Sequence, residues 1–198
     1  MTSHPPLHLA SSSPRRRAIL KALGLKFSVK AVVVDEYRLA DEAPAQMALR
    51  LAAAKAVAAE IEPSHFVIGA DTIVVLDSDV LGKPRDRDDA VTMLTSLSGR
   101  RHCVMTGVAL RGPAGVQTAL STTDVHFREI SRDEALAYWH SGEPRDKAGA
   151  YAIQGLGGAF VEAIHGSYSG VVGLPVYETA QLLKRAGIDL LMKQSNDG

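Results

Sequence analysis

The chain has 198 residues, which is enough for one compact domain or two closely joined lobes with a sizeable core. Its 22 lysines and arginines balance its 22 aspartates and glutamates, so no global field favours a nucleic acid or an anionic membrane as a partner. Cys103 is the only cysteine, which excludes an intrachain disulfide, and without a signal sequence or an apolar run of about 18 residues we expect a cytoplasmic protein.

The first half of the chain alternates predicted strands and helices. Short apolar stretches predict strands, whereas apolar residues at helical spacing predict helices that begin at a serine or proline and end at a glycine or proline. In chain order we predict a strand over Leu7–Ala10, a helix from Pro14 to Leu23, one or two short strands within Phe27–Val34, a helix over Pro44–Ile61, a buried strand over Phe66–Leu76 and a helix from Pro84 to about Leu97.

The second half begins with a predicted hairpin whose strands flank a glycine-rich turn. Together with the alternation before it, this hairpin predicts an α/β fold around a mixed sheet. We predict strands over His102–Leu110 and Thr118–Phe127, a helix capped by Ser131 and ending near His140, a loop over Ser141–Gly158, a strand over Ala159–Ile164, a helix over Leu174–Arg185, and disordered tails at about residues 1–6 and 194–198.

A run of serines, proline and arginines stands where the first predicted strand gives way to the first helix. Ser13 is placed to cap that helix, and the free N–H groups of a helix start attract anions. Arg15 and Arg16 oppose the helix dipole, and a bound phosphate would reverse that effect. The segment therefore predicts a phosphate site, although a solvated basic turn beside a good cap explains the same residues.

One carboxylate, that of Asp71, stands inside the apolar run that predicts the buried strand. A buried carboxylate is costly unless a cation or hydrogen bonds compensate it, and a metal ion or a catalytic task would supply a reason for it. Gly69, two residues earlier, leaves room for a ligand or another backbone to approach. We therefore favour a functional role for Asp71 over the alternative, an aspartate at a strand end that nearby backbone groups cap.

Further candidates are one acid and two lysines outside that strand. Glu36 belongs to an acidic pair after an apolar run, where a hard divalent cation can bind, although such pairs are commonly solvated. Lys55 lies beside the apolar stripe of its helix and Lys83 on a tight turn, and each either contacts phosphate or is an ordinary surface lysine. With carboxylates and a single cysteine available, Mg²⁺ or Mn²⁺ is the natural metal.

Several familiar motifs are absent from the sequence. It contains no phosphate loop, no dinucleotide fingerprint after an early strand and no G-x-S-x-G nucleophile elbow. Its zero net charge and its aromatic content of 5% also disfavour an RNA-binding module. Any anion site must therefore be local and built from other elements.

Short motifs nevertheless follow one another in a distinctive order over about residues 7 to 190. They are Ala10-Ser11-Ser12-Ser13-Pro14-Arg15-Arg16, Val34-Asp35-Glu36, Leu51-Ala52 with Lys55-Ala56, Gly69-Ala70-Asp71-Thr72-Ile73-Val74, Gly82-Lys83-Pro84, Leu97-Ser98-Gly99 with His102, Thr106-Gly107-Val108, Gly142-Glu143-Pro144, Asp146-Lys147-Ala148-Gly149-Ala150-Tyr151 and Val172-Gly173-Leu174-Pro175. This ordered series resembles the Maf family, the septum-formation protein homologues, from which Gly170 departs because many members carry asparagine there.

The resemblance implies a fold and an activity. It implies one Maf-like domain over residues 1–198, with an elongated mixed sheet flanked by helices and two lobes around a central cleft, similar to the inosine-triphosphate pyrophosphatases. It implies a nucleoside triphosphate pyrophosphatase with Asp71 as the proton acceptor and with Glu36 near a divalent metal, for which Asp71 is a second ligand candidate. The residues alone leave open which carboxylate is the base. The residues implied to contact phosphates are Ser13, Arg15, Arg16, Lys55 and Lys83.

A loop near residue 154 is the candidate for recognising the nucleobase of the substrate. The Gln154 amide offers a donor and an acceptor that match the edge of uracil or thymine, although an exposed loop glutamine is the simpler alternative. With Arg15 and Thr72, the Ala-Ile-Gln-Gly sequence resembles the family branch that prefers dTTP and UTP. We therefore expect these substrates and also modified pyrimidine triphosphates.

Other possibilities stay open within the same resemblance. One alternative to the dTTP/UTP prediction is the family branch that prefers 7-methyl-GTP. The other is a nucleotide-binding regulator of septum formation that hydrolyses nothing. Its role is either the cleaning of the nucleotide pool or the control of cell division. By analogy with other members we expect a homodimer.

Overall fold

A mixed β-sheet organises the chain in the computed structural model, which describes residues 5–191. The strands in that range are β1 (Leu7–Leu9), β2 (Ser28–Val29), β3 (Phe66–Leu76), β4 (Asp79–Leu81), β5 (Arg101–Gly112), β6 (Gly115–Phe127) and β7 (Val161–His165). The strand order is β2-β1-β3-β5-β6-β7, and β4 pairs with β3. β1 is parallel to β2 and β3, whereas the pairs β3–β4 and β6–β7 are antiparallel, so the predicted mixed sheet is confirmed.

Helices flank this sheet, and local signals explain where they begin. A side-chain oxygen of Ser13, Asp86 or Ser131 accepts a backbone N–H at the start of the helix that follows it. The helices of the described residues are α1 (Pro14–Ala22), α2 (Pro44–Ala58), α3 (Arg87–Leu97), α4 (Arg132–His140), α5 (Tyr168–Val172) and α6 (Val176–Arg185). None of the helices in residues 5–191 combines the length and the apolar character needed to cross a bilayer.

The strongly patterned elements form close to where the sequence predicts them. β3 has the predicted bounds, and α1, α3 and α4 lie within about three residues of theirs. The hairpin forms from β5 and β6, which are longer at the turn than predicted. The two remaining predicted helices form with shifted ends, since α2 stops at Ala58 and α6 begins only after Pro175.

Short and irregular elements differ from the prediction. The stretch Phe27–Val34 contains one short strand, Ser28–Val29, which confirms that prediction, but the apolar Val33 side chain is 98% exposed. β4 was not predicted; it follows a two-residue turn where Asp77 adopts a φ of 56°, a conformation that aspartate tolerates. Also not predicted are α5 and the 3-10 turns at Glu143–Asp146, Ala148–Ala150 and Leu156–Phe160. The predicted disordered tails lie outside the described residues, except for residues 5 and 6.

The chain divides into two compact units. The first comprises the chain up to Asp71, Thr106–Ser121 and the chain from Gly173 onward, and the second comprises Thr72–Met105 and Thr122–Val172. β3, β5 and β6 each contribute residues to both units because the boundaries fall inside these strands. Each unit contains its own apolar core.

In the first unit, helices cover both faces of the sheet. Side chains alternate between the faces of a strand, and Ile68 and Ala70 of β3 pack in the cluster that contains residues of α1 and α6. Val67 of the same strand packs on the other face, against alanines of α2. Asp71 lies four positions after Val67 in the same strand, so its side chain points to the same face, which α2 covers.

Two glycines allow α2 to lie unusually close to the sheet. A Cβ atom on Gly69 of β3 would overlap the carbonyl oxygen of Ala52, and one on Gly107 of β5 would overlap that of Ala48. Ala48, Ala52 and Ala56 are themselves fully buried. Small residues on both sides therefore fix the separation of α2 from the sheet, because any added side-chain atom would meet backbone.

The core of the second unit contains an aromatic cluster around His102. The imidazole makes edge contacts with Phe127 and Tyr151, at ring-centroid distances of 4.8 and 5.4 Å. Its Nε2 lies 2.8 Å from the Tyr151 hydroxyl oxygen, whereas its buried Nδ1 has no hydrogen-bond partner among residues 5–191. Such surroundings disfavour the imidazolium form.

We expect His102 to make the unfolding free energy depend on pH. Burial lowers the pKa of this imidazole from 6.5 to about 4, so the unfolded chain accepts a proton that the folded protein refuses. The stability from this group is therefore complete above the unfolded pKa, and about 3 kcal/mol is lost as the pH falls through the window between the two values. Urea unfolding at a series of pH values measures this loss.

The matched variant is His102→Gln, which removes the titrating group but keeps a polar partner for the Tyr151 hydroxyl. Its unfolding free energy should fall less than that of the native protein between about pH 7 and about pH 5. Parallel pH profiles of the two proteins would show that other groups cause the acid sensitivity.

Candidate active site

A buried ion pair links the sheet to α2 in the first unit. Lys55 of α2 donates from Nζ to Oδ1 of Asp71 in β3 at 2.5 Å, and the two side chains are only 10% and 9% exposed. The same ammonium lies 2.6 Å from Oε1 of Glu36, whose side chain is 44% exposed. The structure thus brings three predicted site residues together. The alternatives of a surface lysine and of an aspartate capped at a strand end are wrong.

The surroundings of Asp71 increase its affinity for a proton. Burial raises the pKa of the Asp71 carboxyl, and the nearby Glu36 carboxylate acts in the same direction. The positive charges of Lys55 and Arg16 oppose this rise. A carboxylate that is held by cations and yet is more basic than an ordinary aspartate has the character of a proton acceptor.

The start of α1 positions the serine and arginine residues. Ser13 is the N-cap, and its hydroxyl accepts the backbone N–H of Arg16. The Arg16 side chain is fixed by two further bonds, because Nε donates to the Gly173 carbonyl at 2.8 Å and Nη1 donates to Ser11 Oγ at 3.2 Å. Arg16 is therefore held in place, contrary to the alternative of a solvated basic turn.

Arg16 also belongs to the electrostatic surroundings of the carboxylates. Desolvation lowers the pKa of the Arg16 guanidinium, the charges of Asp71 and Glu36 raise it, and the charge of neighbouring Arg15 lowers it. Together with the N–H groups and the dipole of α1, these arginines make the helix start positive. The first unit thus gathers cationic groups and two carboxylates around one helix start.

Glu36 lies in a segment without regular structure. Arg50 and Glu42, which were not predicted as site residues, hold this segment to α2. Arg50 of α2 binds both carboxylate oxygens of Glu42, at 2.5 and 2.8 Å, and donates to the carbonyl of Tyr37 at 2.9 Å. The Arg50 bond lowers the pKa of Glu42 to about 2. No local pattern marks this pair in the sequence, because its members stand eight positions apart and only one of them is helical.

The remaining predicted site residues belong to the second unit. Thr72 follows Asp71 in β3 and points to the opposite face of that strand. Lys83 is exposed in the turn between β4 and α3. Gln154 is exposed in the loop before the 3-10 turn Leu156–Phe160. This exposure fits both an ordinary loop glutamine and a glutamine that binds a nucleobase.

The donor set of Glu36 and Asp71 suits a hard divalent cation. Both groups present carboxylate oxygens to one position, and Mg²⁺ in proteins is often bound through one or two carboxylates together with substrate phosphates. Lys55 now supplies the positive charge at that position. Within residues 5–191, no three histidine, cysteine, aspartate or glutamate side chains are grouped so that they alone would hold a metal.

Fold and site together define an α/β protein in which carboxylates and cations meet at a helix start. The chain belongs to the Maf family, since the model of that family, described as Maf-like protein, matches residues 6–186. The match covers nearly all of the described chain and agrees with the ordered motifs of the sequence.

Relatives with curated names show the same membership. The dTTP/UTP pyrophosphatase of Saccharophagus degradans is 53% identical over 182 residues, which cover 89% of this chain and 87% of the relative. The dTTP/UTP pyrophosphatase of Vibrio cholerae is 53% identical over 181 residues, which cover 90% and 97%. The Staphylococcus aureus Ham1 protein matches 62% of this chain and 71% of its own, with 14% identity and a TM-score of 0.44, a likeness too loose to inform the site.

Removal of the Lys55 ammonium should destabilise the first unit. Lys55→Met keeps the length of the side chain but leaves the Asp71 carboxylate buried without its closest cation, which costs roughly 3 kcal/mol of unfolding free energy near neutral pH. Because protonation of Asp71 removes the uncompensated charge, the loss should be smaller at about pH 5 than at about pH 8. Urea unfolding of native and variant protein measures both effects.

Two controls make this result specific. Lys26→Met alters an exposed lysine of the same unit and should leave the unfolding free energy nearly unchanged. The double variant Lys55→Met with Asp71→Asn should recover part of the loss, because the buried charge is then absent. Equal stabilities of the Lys55→Met protein and the native protein would refute the structural importance of the ion pair.

Proposed function

We propose that the protein is a nucleoside triphosphate pyrophosphatase that hydrolyses dTTP and UTP to the monophosphate and pyrophosphate. The single observation that carries this proposal is the buried Asp71 carboxylate, held by Lys55 beside Glu36 and close to the Arg16 charge. The names of relatives about half identical to this chain support the same activity. A single Maf-like domain, a cytoplasmic location and a homodimer stay predictions.

The cations bind the triphosphate in this proposal. Ser13 and the N–H groups of α1 donate hydrogen bonds to phosphate oxygens at the helix start, where Arg15 and Arg16 add charge. Lys55 shifts its ammonium from the carboxylates toward the phosphates when substrate binds, since a polyanion competes with Glu36 and Asp71 for it. For Lys83 the support is its family motif, and its role is that of a further phosphate contact.

Asp71 acts as the general base. It takes a proton from a water molecule whose oxygen attacks the α-phosphorus, and the bond from that phosphorus to the bridging oxygen breaks as pyrophosphate leaves. Burial raises the pKa of Asp71, which strengthens it as an acceptor. The fixed cations stabilise the negative charge that develops on the phosphate oxygens, and they need no reorganisation to do so.

Glu36 and Asp71 are also the residues that would hold Mg²⁺ or Mn²⁺. When bound, such an ion neutralises phosphate charge and makes water more acidic. Arg50 and Glu42 hold the backbone that carries Glu36, so they keep this carboxylate at the end of the Lys55 side chain. Their contribution is positional, because Arg50 bonds to Glu42 and to the Tyr37 carbonyl, and Glu42 accepts the backbone N–H of Leu39.

Base preference is assigned to Gln154, with Arg15 and Thr72 as further specificity residues. The Gln154 amide can donate to one and accept from the other of two adjacent groups on the uracil or thymine edge. A nucleobase edge that finds no hydrogen-bond partner costs roughly 1–3 kcal/mol, so purine nucleotides should be turned over poorly. The 7-methyl-GTP branch of the family is the alternative, and a substrate panel separates the two.

The test of this proposal is pyrophosphate release from a panel of dTTP, UTP, CTP, GTP, inosine triphosphate and 7-methyl-GTP. We expect the highest kcat/KM for dTTP and UTP. Asp71→Asn keeps the shape of the side chain but removes the base, so its kcat should fall by about 10²–10⁴-fold while the far-UV circular dichroism stays native. Best turnover of 7-methyl-GTP would overturn the substrate assignment, and near-native turnover by Asp71→Asn would overturn the role of the aspartate.

Metal removal tests the carboxylate pair separately. Because the donor atoms are hard oxygens, activity should vanish with excess EDTA and return with Mg²⁺ or Mn²⁺. Glu36→Gln weakens the donor set, and this variant should need a higher Mn²⁺ concentration for half-maximal activity than the native protein. Full activity in EDTA, or rescue by zinc alone, would contradict the assignment.

A further inference from the structure

We propose that Glu143, together with Tyr138, is a positioning residue that sets base selectivity by holding the loop that carries Gln154. This inference rests on the proposed function, because it gives the loop a task only if Gln154 reads the base. All the residues concerned belong to the second unit.

One carboxylate gathers the far end of the loop. Glu143 accepts the backbone N–H of Leu156 at 3.0 Å and that of Gly157 at 3.1 Å. It also accepts the hydroxyl proton of Tyr138 at 2.6 Å. Three hydrogen bonds from three donors are close to the number that a carboxylate can satisfy, so its orientation is fixed.

The Tyr138 hydroxyl holds the near end of the same loop. It accepts the backbone N–H of Ala152 at 3.0 Å while it donates to Glu143. Tyr138 is itself only 5% exposed and packs its ring against Phe160, at a centroid distance of 5.1 Å. A buried side chain of α4 and one carboxylate thus bind the backbone on both sides of Gln154.

The glycines of the loop fit this interaction. A Cβ atom on Gly155 would overlap the Glu143 carboxylate, and one on Gly157 would lie 2.5 Å from the Tyr138 hydroxyl oxygen. Gly155 has a negative φ of −117°, so the close approach of the Glu143 carboxylate is a reason for a glycine there that does not depend on a left-handed backbone. The loop is therefore shaped around the carboxylate.

Glu143 remains a carboxylate under the conditions of the reaction. Although partial burial acts to raise the pKa of Glu143, the hydrogen bonds from Tyr138, Gly157 and Leu156 outweigh it, and the pKa is lowered. An ionised acceptor bonds backbone N–H groups more strongly than a neutral one. The loop is thus held by charge-assisted bonds rather than by ordinary turn contacts.

Fixing the loop backbone matters because recognition of a nucleobase by hydrogen bonds depends on the position of the recognising amide. A recognition group must stay within roughly 0.5 Å of its productive geometry to discriminate between partners. Gln154 has an exposed side chain with rotational freedom of its own, so only its backbone can be fixed in advance. Loss of the Glu143 bonds should therefore reduce discrimination between bases more than it reduces binding of the triphosphate.

Glu143→Gln is the direct test, because the amide keeps the shape but replaces one acceptor oxygen with a donor that faces backbone N–H groups. We expect the ratio of kcat/KM for UTP to that for GTP to fall about tenfold. Inorganic tripolyphosphate, which has no base, should inhibit the variant with an unchanged inhibition constant. Hydrogen exchange at the amides of Leu156 and Gly157 should accelerate, which reports the loop without any turnover.

Gly155→Ala provides a second variant that leaves Glu143 in place. Its methyl group would meet the carboxylate end of the Glu143 side chain rather than backbone, so we expect the fold to survive while the carboxylate is displaced. It should reproduce the loss of selectivity. Glu129→Gln, an exposed acid of the same unit, is the matched control and should keep the native ratio.

The outcomes separate the two proposals. Native preference for UTP in both Glu143→Gln and Gly155→Ala, with faster loop exchange, would show that the bonds are structural only and would overturn this inference alone. A tenfold loss of kcat/KM shared equally by UTP and GTP would do the same. A native protein that releases no pyrophosphate from any nucleotide would overturn the proposed function and this inference with it.

Discussion

A carboxylate inside the sheet is the constraint on which the first unit depends. Asp71 cannot remain charged in β3 without a cation, and Lys55 supplies one from the helix packed on that face. The same ammonium draws in Glu36, while Arg16 adds its charge from the start of α1. Three separate stretches of chain are thus oriented by the need to compensate one buried group, and their convergence assembles the candidate site.

The reach of Lys55 depends in turn on how closely α2 approaches the sheet. Gly69 and Gly107 place no atoms between strand and helix, so the alanines of α2 lie against backbone. A wider separation would carry the ammonium away from Asp71 and leave both charges less well paired. The close packing of α2 and the buried ion pair therefore depend on each other, because the two glycines set the distance that Lys55 and Asp71 need to pair.

The sequence predicts elements well where an apolar run or a cap defines them, as with the mostly apolar strand Phe66–Leu76 and the helix after Ser131. It fails at β4 and α5, because elements of three to five residues contain too few positions to show a period. Asp71 was recognisable as a charge in an apolar run. Arg50, Glu42 and Tyr138 were not, because their importance lies in partners that only the folded chain brings near.

The first core joins the two ends of the chain, since Leu7, Leu9 and Leu20 share it with Leu182, Leu183 and Ile188. During synthesis, the early strands leave the ribosome long before α6 exists, and their apolar side chains must wait for it. The second unit is complete at Val172, and its two segments lie closer together in the sequence. In a nascent chain, β1 and β3 therefore keep these apolar side chains exposed until α6 has been made and can pack against them.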